Sequence, residues 1–341
     1  MHCRSLVLMG VIAMTAVARA GDAAPGTGKY RIENRIVASD ALWDYASIDA
    51  ESHRLYVGRI GGVMAVDLDS RKVTAVLVPS ELAHGVAPIP GSGIAASTNG
   101  VANTVSFFEV KTGRVVATIP AGKEPDAIIV EPKSGLVIAT NEDSRDLILI
   151  DAKKYAAVGT IAVGGKPEFL AADGEGLLFN NIEDRGEIAV IDVDQRKVIK
   201  RVKLRGCVNP TGLAYDPLDG LLISACQNGI VKFINAKTYA EAGSFKVGKG
   251  PDAVIFDSVR RVAFVPSGDS GTLTVFALRS PTDITVQQVL PTQAGTRTGA
   301  VDTRTGIVYL PAAKLKPPEK PDAFPSVIDG SFAILVVVPG S

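Results

Sequence analysis

Apolar residues along this chain come in short runs, among them "LILID", "EIAVID", "LLISAC" and "VKFIN", each bounded by Gly, Pro, Asn or Asp. Runs of this length, rich in Val, Ile and Leu and closed by turn residues, predict β-strands. Apolar spacing at i, i+3 and i+4 is scarce, so the chain reads as all-β. The runs also repeat. "FFEVKTGRVVATIPAG", "LILIDAKKYAAVGTIAVGG", "IAVIDVDQRKVIKRVKLRG" and "VKFINAKTYAEAGSFKVGKG" are one segment written four times: strand, polar turn, strand, closing Gly. Another strand pair precedes each, as in "DAIIVEPKSGLVIATN", with Pro, Ser, Asp and Gly supplying hairpin chemistry.

The period is that of a propeller blade. Pro125, Pro167, Pro210 and Pro251 hold one phase at intervals of 42, 43 and 41 residues, the length of four antiparallel strands. Repeats begin near Trp43, His84, Pro125, Pro167, Pro210, Pro251 and Thr296, which predicts a seven-bladed β-propeller over residues 29–341. The last repeat stops after "SFAILVVVP", one strand short, while a spare strand, about residues 30–39, precedes the first. That strand is expected to complete blade seven and close the ring, leaving no long free edge.

The phase carries chemistry. Aligned on the prolines, the repeats place Asp44, His84, Asp126, Glu168, Thr211, Asp252 and Arg297 at the start of each innermost strand. In a propeller those strands line the central channel, so these residues are expected to ring one mouth as a ligand-binding surface. The loops between second and third strands should rise on the same face and bring Arg59, Asn180 and Glu183, among others. Asp after Pro can instead serve its own turn as an Asx motif, which accounts for Asp126 and Asp252 without any ligand. Blade seven carries a proline-rich loop, about residues 311–330, too long for a tight hairpin and expected to lie over the ring as a flap.

Charge and composition narrow the classes. Lys and Arg number 36, Asp and Glu 36, with no basic stripe for nucleic acid and only one Trp for stacking. The first 20 residues have Arg4, an apolar stretch from Leu6 to Val17, and Ala18-Arg19-Ala20. This is a signal-peptide pattern, cleaved after Ala20 and too short for a membrane span. Residues 21–28 read as a linker, and the product as a soluble periplasmic or secreted monomer. Cys207 and Cys226 remain after cleavage, and in an oxidising compartment they pair as a disulfide, with a reactive or metal-binding thiol pair near His84 as the alternative. His53 falls in a hairpin turn and reads as exposed. A divalent cation could take oxygens from Asp126, Glu168, Asp252 and Asn180. No catalytic residue is assigned, since no nucleophile elbow or His-rich zinc pattern is present.

The strand pairs "VIDV…KVIKRVKL" and "FEVKTGRVVATI", with "WDYASIDAESHRLYV", "AHGVA", "EPDAI", "GGKPEF", "NNIEDRGEIAVID", "NPTGLA" and "GDSGTLTV", resemble the bacterial YncE-like, YVTN-repeat β-propellers. The resemblance covers essentially everything after the linker and implies the propeller fold. It implies little about activity, because propellers host unrelated functions. Pro266-Ser267 stands where relatives often have Ser-Asn, a departure within that loop. The expected function is a module binding a small molecule, an ion, a peptide or a protein through the ring. A metal-assisted lactonase- or esterase-like hydrolase is the alternative.

Overall fold

Strands that are apolar at every position need cover on both faces. The computed structural model, which describes residues 28–317, 320 and 324–340, supplies it by packing sheets face to face around an axis. The expected signal peptide, its cleavage site and the linker up to residue 27 lie outside the described residues, as do 318–319 and 321–323 of the long loop. The architecture is an all-β propeller arrangement. Among the described residues the single helical element is the 3-10 turn Glu183–Arg185, and no helix is long and apolar enough to cross a membrane.

Most sheets are four-stranded meanders with sequence order matching spatial order. Pro125–Val130, Leu136–Asn141, Asp146–Asp151 and Ala156–Ala162 form one; the segments starting at Pro167, Pro210 and Ile255 form three more. Another joins Ala300–Asp302, Ile307–Ala312 and Ala333–Pro339 to the N-terminal Tyr30–Val37, which pairs antiparallel with Ala333–Pro339. A six-stranded sheet holds the remainder. Its long strand Val73–Ile89 pairs first with Arg54–Asp67, then from Ala83 onward with Ile94–Asn99. The core lies between neighbouring sheets: Ile138, Leu147 and Leu149 of one pack with Leu178, Ala189 and Ile191 of the next.

Two features position the site. The innermost strands break register at one place, between Trp43/Ala46, Ala83/Val86, Pro125/Ile128, Pro167/Leu170 and Pro210/Leu213. Such irregularities re-aim side chains and leave backbone groups without ladder partners. Thr and Asn side chains then serve those groups. Thr98 accepts from the Gly85 N–H at 2.9 Å and donates to the Asp126 carbonyl at 2.5 Å, tying two sheets. Asn181 donates to the Thr211 carbonyl at 2.7 Å, Thr211 to Pro251 at 2.8 Å, and Thr298 to Asp44 at 2.6 Å. The strands approach so closely that a Cβ on Gly212 would meet the Ala253–Val254 backbone at 2.4 Å.

Cys207 and Cys226 are bonded and close a 19-residue separation. This replaces the free-thiol alternative and fits an oxidising compartment. The long loop is partly ordered, with Leu315–Lys316 paired to Ser326–Val327. His53 is not the exposed turn residue expected: its ring contacts Asp69 at 2.5 Å and Asp302 at 3.3 Å. Reduction of the Cys207–Cys226 bond should lower unfolding free energy by about 3 kcal/mol, from the entropy of the loop it closes. Denaturant titration with and without reductant checks this, and coincident curves would contradict it.

Candidate functional site

The register break puts Asp44, His84, Asp126 and Glu168 where each innermost strand leaves its ladder, and the side chains of the first three meet. His84 Nδ1 lies 2.5 Å from Asp44 Oδ2 and 3.3 Å from Asp126 Oδ1. Arg297 reaches Asp252 at 2.8 Å and Asp44 at 3.6 Å. The Tyr45 hydroxyl donates to Glu168 Oε2 at 2.7 Å. A step outward, Lys166 bridges Glu142 and Glu183, the latter at 2.7 Å. Beneath the ring, Tyr45 packs on Phe169 with centroids 5.0 Å apart, and both line a cavity of about 330 Å³ between the innermost strands.

The Asx reading of Asp126 and Asp252 does not hold. Acids at the far end of the innermost strands do that work: Asp216 accepts from the Leu218 N–H, Asp257 from Val259 and Arg260, and Glu131 from Lys133 and Ser134. Among the described residues Asp126 makes no such bond, and the side chain of Asp252 is held by Arg297.

Six carboxylates (Asp44, Asp126, Glu142, Glu168, Glu183, Asp252) meet three cationic side chains (His84, Lys166, Arg297). Burial and mutual repulsion decide their protonation. Burial, then Asp44, Glu142 and Asp252, pushes Asp126 well above the carboxylate range. Burial, then Asp126 and Asp252, does the same to Glu168, against the Tyr45 hydrogen bond. Asp252 is raised by burial to about 6, with Arg297 opposing. Burial would raise Asp44 too, but His84 and Arg297 outweigh it and hold that carboxyl low. Burial would lower His84, yet its bond to Asp44 wins and its pKa rises. The mouth thus sets acids pushed up in pKa beside one, Asp44, that its cationic neighbours hold low.

Two of the sequence-predicted residues are not presented to the mouth. Asn180 is fully buried and its Nδ2 donates to the Glu168 and Phe169 carbonyls, so it braces the strand beneath the ring. Thr211 is likewise buried and spends its hydroxyl on Pro251. The cation set Asp126, Glu168, Asp252 and Asn180 does not converge. Among the described residues, the groups whose ligand atoms lie within 4.8 Å of one another are Asp44–His84–Asp126 and Glu142–Glu168–Glu183. Glu183 is placed as expected, but through Lys166. Tyr45, Glu142 and Lys166 went unread from sequence. Tyr45 sits one residue past the ring phase. Glu142 follows Asn141 and Lys166 precedes Pro167, so only a register accurate to one residue would have found them.

No family model matches this chain, and no curated protein matches it. Solved structures do. A chain of "Crystal Structure of Mitotic Checkpoint Complex" superposes with a TM-score of 0.72 at 13% identity, covering 100% of this chain and 99% of that one. A chain of the Kuenenia stuttgartiensis hydrazine synthase gives 0.67 at 16%, covering 88% and 96%. At such identity the likeness is one of fold, the β-propeller.

The raised carboxyls set a pH dependence. A carboxyl whose folded pKa exceeds the ordinary ~3.9 destabilises as it ionises. For Asp252 the loss runs from that value up through about 6. Asp126 and Glu168 act in the same sense. His84 adds stability below its ordinary ~6.5, lost as the pH climbs through its raised folded value. The Asp44 contribution is lost only at acidity below this window. Thermal denaturation should therefore give a higher Tm at about pH 5 than at about pH 8; a Tm that climbs with pH would contradict the assignment. Tyr45→Phe leaves Glu168 without its O–H donor and should cost about 1–3 kcal/mol in chemical denaturation.

Proposed function

We propose that this chain is an exported, YncE-like, seven-bladed β-propeller that works as a binding module through the polar ring at one channel mouth. The seven-blade reading counts the six-stranded sheet as two blades sharing the long strand Val73–Ile89. It is supported by the contacts of the innermost strands, which run in sequence around the axis and bring Ala300–Asp302 back against Trp43–Asp49. The N-terminal strand then serves as the outer edge of the last blade. Export is supported by the signal-like first 20 residues and by the disulfide. The family reading rests on the strand pairs quoted above.

One observation carries the binding role: Asp126 and Glu168 are buried, pushed up in pKa, and aligned at the mouth by neighbouring strands. A fold keeps groups in so uncomfortable a state where something else uses them. An arriving ammonium or guanidinium, from a small amine or a basic side chain of a peptide or protein, would replace the protons these carboxyls hold. Its binding would release protons and strengthen with pH.

A metal-assisted hydrolase is the second reading. Its support is the approach of Asp44, His84 and Asp126 to within 4.8 Å, a possible donor set for a divalent cation that could polarise a lactone or ester. His84 and Lys166 argue for the first reading, since each already neutralises acids that a metal would need.

Calorimetry with short Lys- and Arg-containing peptides and simple amines tests the proposal. Wild type should bind with proton release, and Asp126→Asn with Glu168→Gln should weaken binding at least about tenfold, or ~1.4 kcal/mol. Equal binding by wild type and variant overturns it. Turnover of simple lactones, lost with chelator and restored by metal, would favour the hydrolase instead.

A further inference from the structure

At the edge of the acidic mouth lies a second compartment of opposite character. It is a cavity of about 160 Å³ walled by Leu42, Trp43, Leu82 and Phe324, with Asp44, Arg59, His84 and Arg297 as its charged lining; Asp44 is already paired with His84 and Arg297. The volume is close to that of the ~150 Å³ engineered cavity that accepts benzene. It therefore suits one six-membered ring or a short branched chain, not a drug-sized ligand.

Arg59 is the unusual member. It is only 3% exposed, yet among the described residues no carboxylate lies within ion-pair distance. Asp40, whose charge it feels, is occupied by the backbone N–H groups of Gly330 at 2.6 Å and Phe332 at 3.0 Å. The guanidinium has five donors. One nitrogen meets the Ser39 carbonyl, another the Met64 thioether at 3.0 Å, and the cation rests on the Phe332 ring at 4.5 Å. Its Nε–H is buried with no acceptor. The indole N–H of Trp43, equally buried in the same wall, has none either. Indole and guanidinium only donate, so both want an acceptor that the protein does not supply. A buried cation normally has a paired anion.

We infer that this compartment is a binding site for a small carboxylate with an apolar body, its oxyanion taken by Arg59 and its body seated among Leu42, Trp43, Leu82 and Phe324. The site borders the acid ring and shares Asp44, His84 and Arg297 with it, but includes neither Asp126 nor Glu168. Arg297 and His84 are paired with Asp252 and Asp44, which leaves Arg59 as the cation of this lining with no carboxylate partner among the described residues. The ring favours a cation and this compartment an anion, so one ligand carrying both groups could span them.

Trp43 is the only Trp in the chain, so its fluorescence reports on this wall directly. The experiment titrates the purified protein with cyclohexanecarboxylate, and in parallel with cyclohexanemethanol and cyclohexylamine. Cyclohexanecarboxylate should change the Trp43 emission saturably, with a Kd of about 1 mM or below, while the alcohol binds at least about tenfold more weakly and the amine fails to bind at this wall. Arg59→Met should abolish the response and Arg59→Lys should keep part of it. If Arg59→Met does not fold, Arg59→Lys and Phe324→Ser carry the test; Phe324 is 69% exposed, so its loss spares the core. Asp126→Asn should leave carboxylate binding intact, which separates failure of this site from failure of the ring. No saturable response to the carboxylate, equal response to the alcohol, or unchanged affinity in the folded Arg59 and Phe324 variants overturns the inference.

Discussion

The hydrogen bonds that Thr98, Asn181, Thr211 and Thr298 send to the innermost backbone of the next repeat are what the mouth depends on. A register break would leave those carbonyls unpaired inside the protein, a cost no fold carries lightly. Each brace removes that cost, and in doing so fixes the spacing between adjacent sheets. The carbonyls of Asp126 and Asp44 are both caught this way, so the carboxyls above them cannot drift apart to relieve their repulsion. Rigid backbone is the reason the charges stay crowded.

Crowding then sets the chemistry. The Asp44 carboxyl is held low because His84 and Arg297 sit against it, whereas burial first, and neighbouring acids after it, push Asp126 and Glu168 up. Lys166 performs for Glu142 and Glu183 what His84 does for Asp44. Beneath them, Tyr45 and Phe169 pack together and line the cavity between the innermost strands, and the Tyr45 hydroxyl reaches the ring through Glu168. Polarity thus changes abruptly along the axis. It changes again sideways, toward the apolar wall around Trp43 and the Arg59 Nε that lacks an acceptor.

Much of this was legible in the chain. Period and turn residues determined strand order, and inner strands from Pro125, Pro167 and Pro210 begin where the repeat placed them. The N-terminal strand pairs antiparallel with Ala333–Pro339 and ends at Val37 rather than residue 39. Phase also selected Asp44, His84, Asp126, Glu168, Asp252 and Arg297 as neighbours. It erred at Thr211 and Asn180, because a short polar side chain at an inner position can brace backbone as readily as face a ligand, and spacing does not distinguish the two.

What the sequence determined by itself was therefore periodic: the all-β class, the repeat, the turns, the pairing of strands close in the chain, and which residues share one height along the axis. These follow from local backbone preferences and from a pattern of burial that each repeat writes anew. Only the tertiary structure decided what depends on distances across the axis. It joined Cys207 to Cys226, set Tyr45 on Glu168 from 123 residues away, interposed Lys166 between two acids, and left the buried Arg59 Nε without an acceptor. Charge, burial and hydrogen bonding act through space over a few ångströms, and no periodicity along the chain specifies separations that fine.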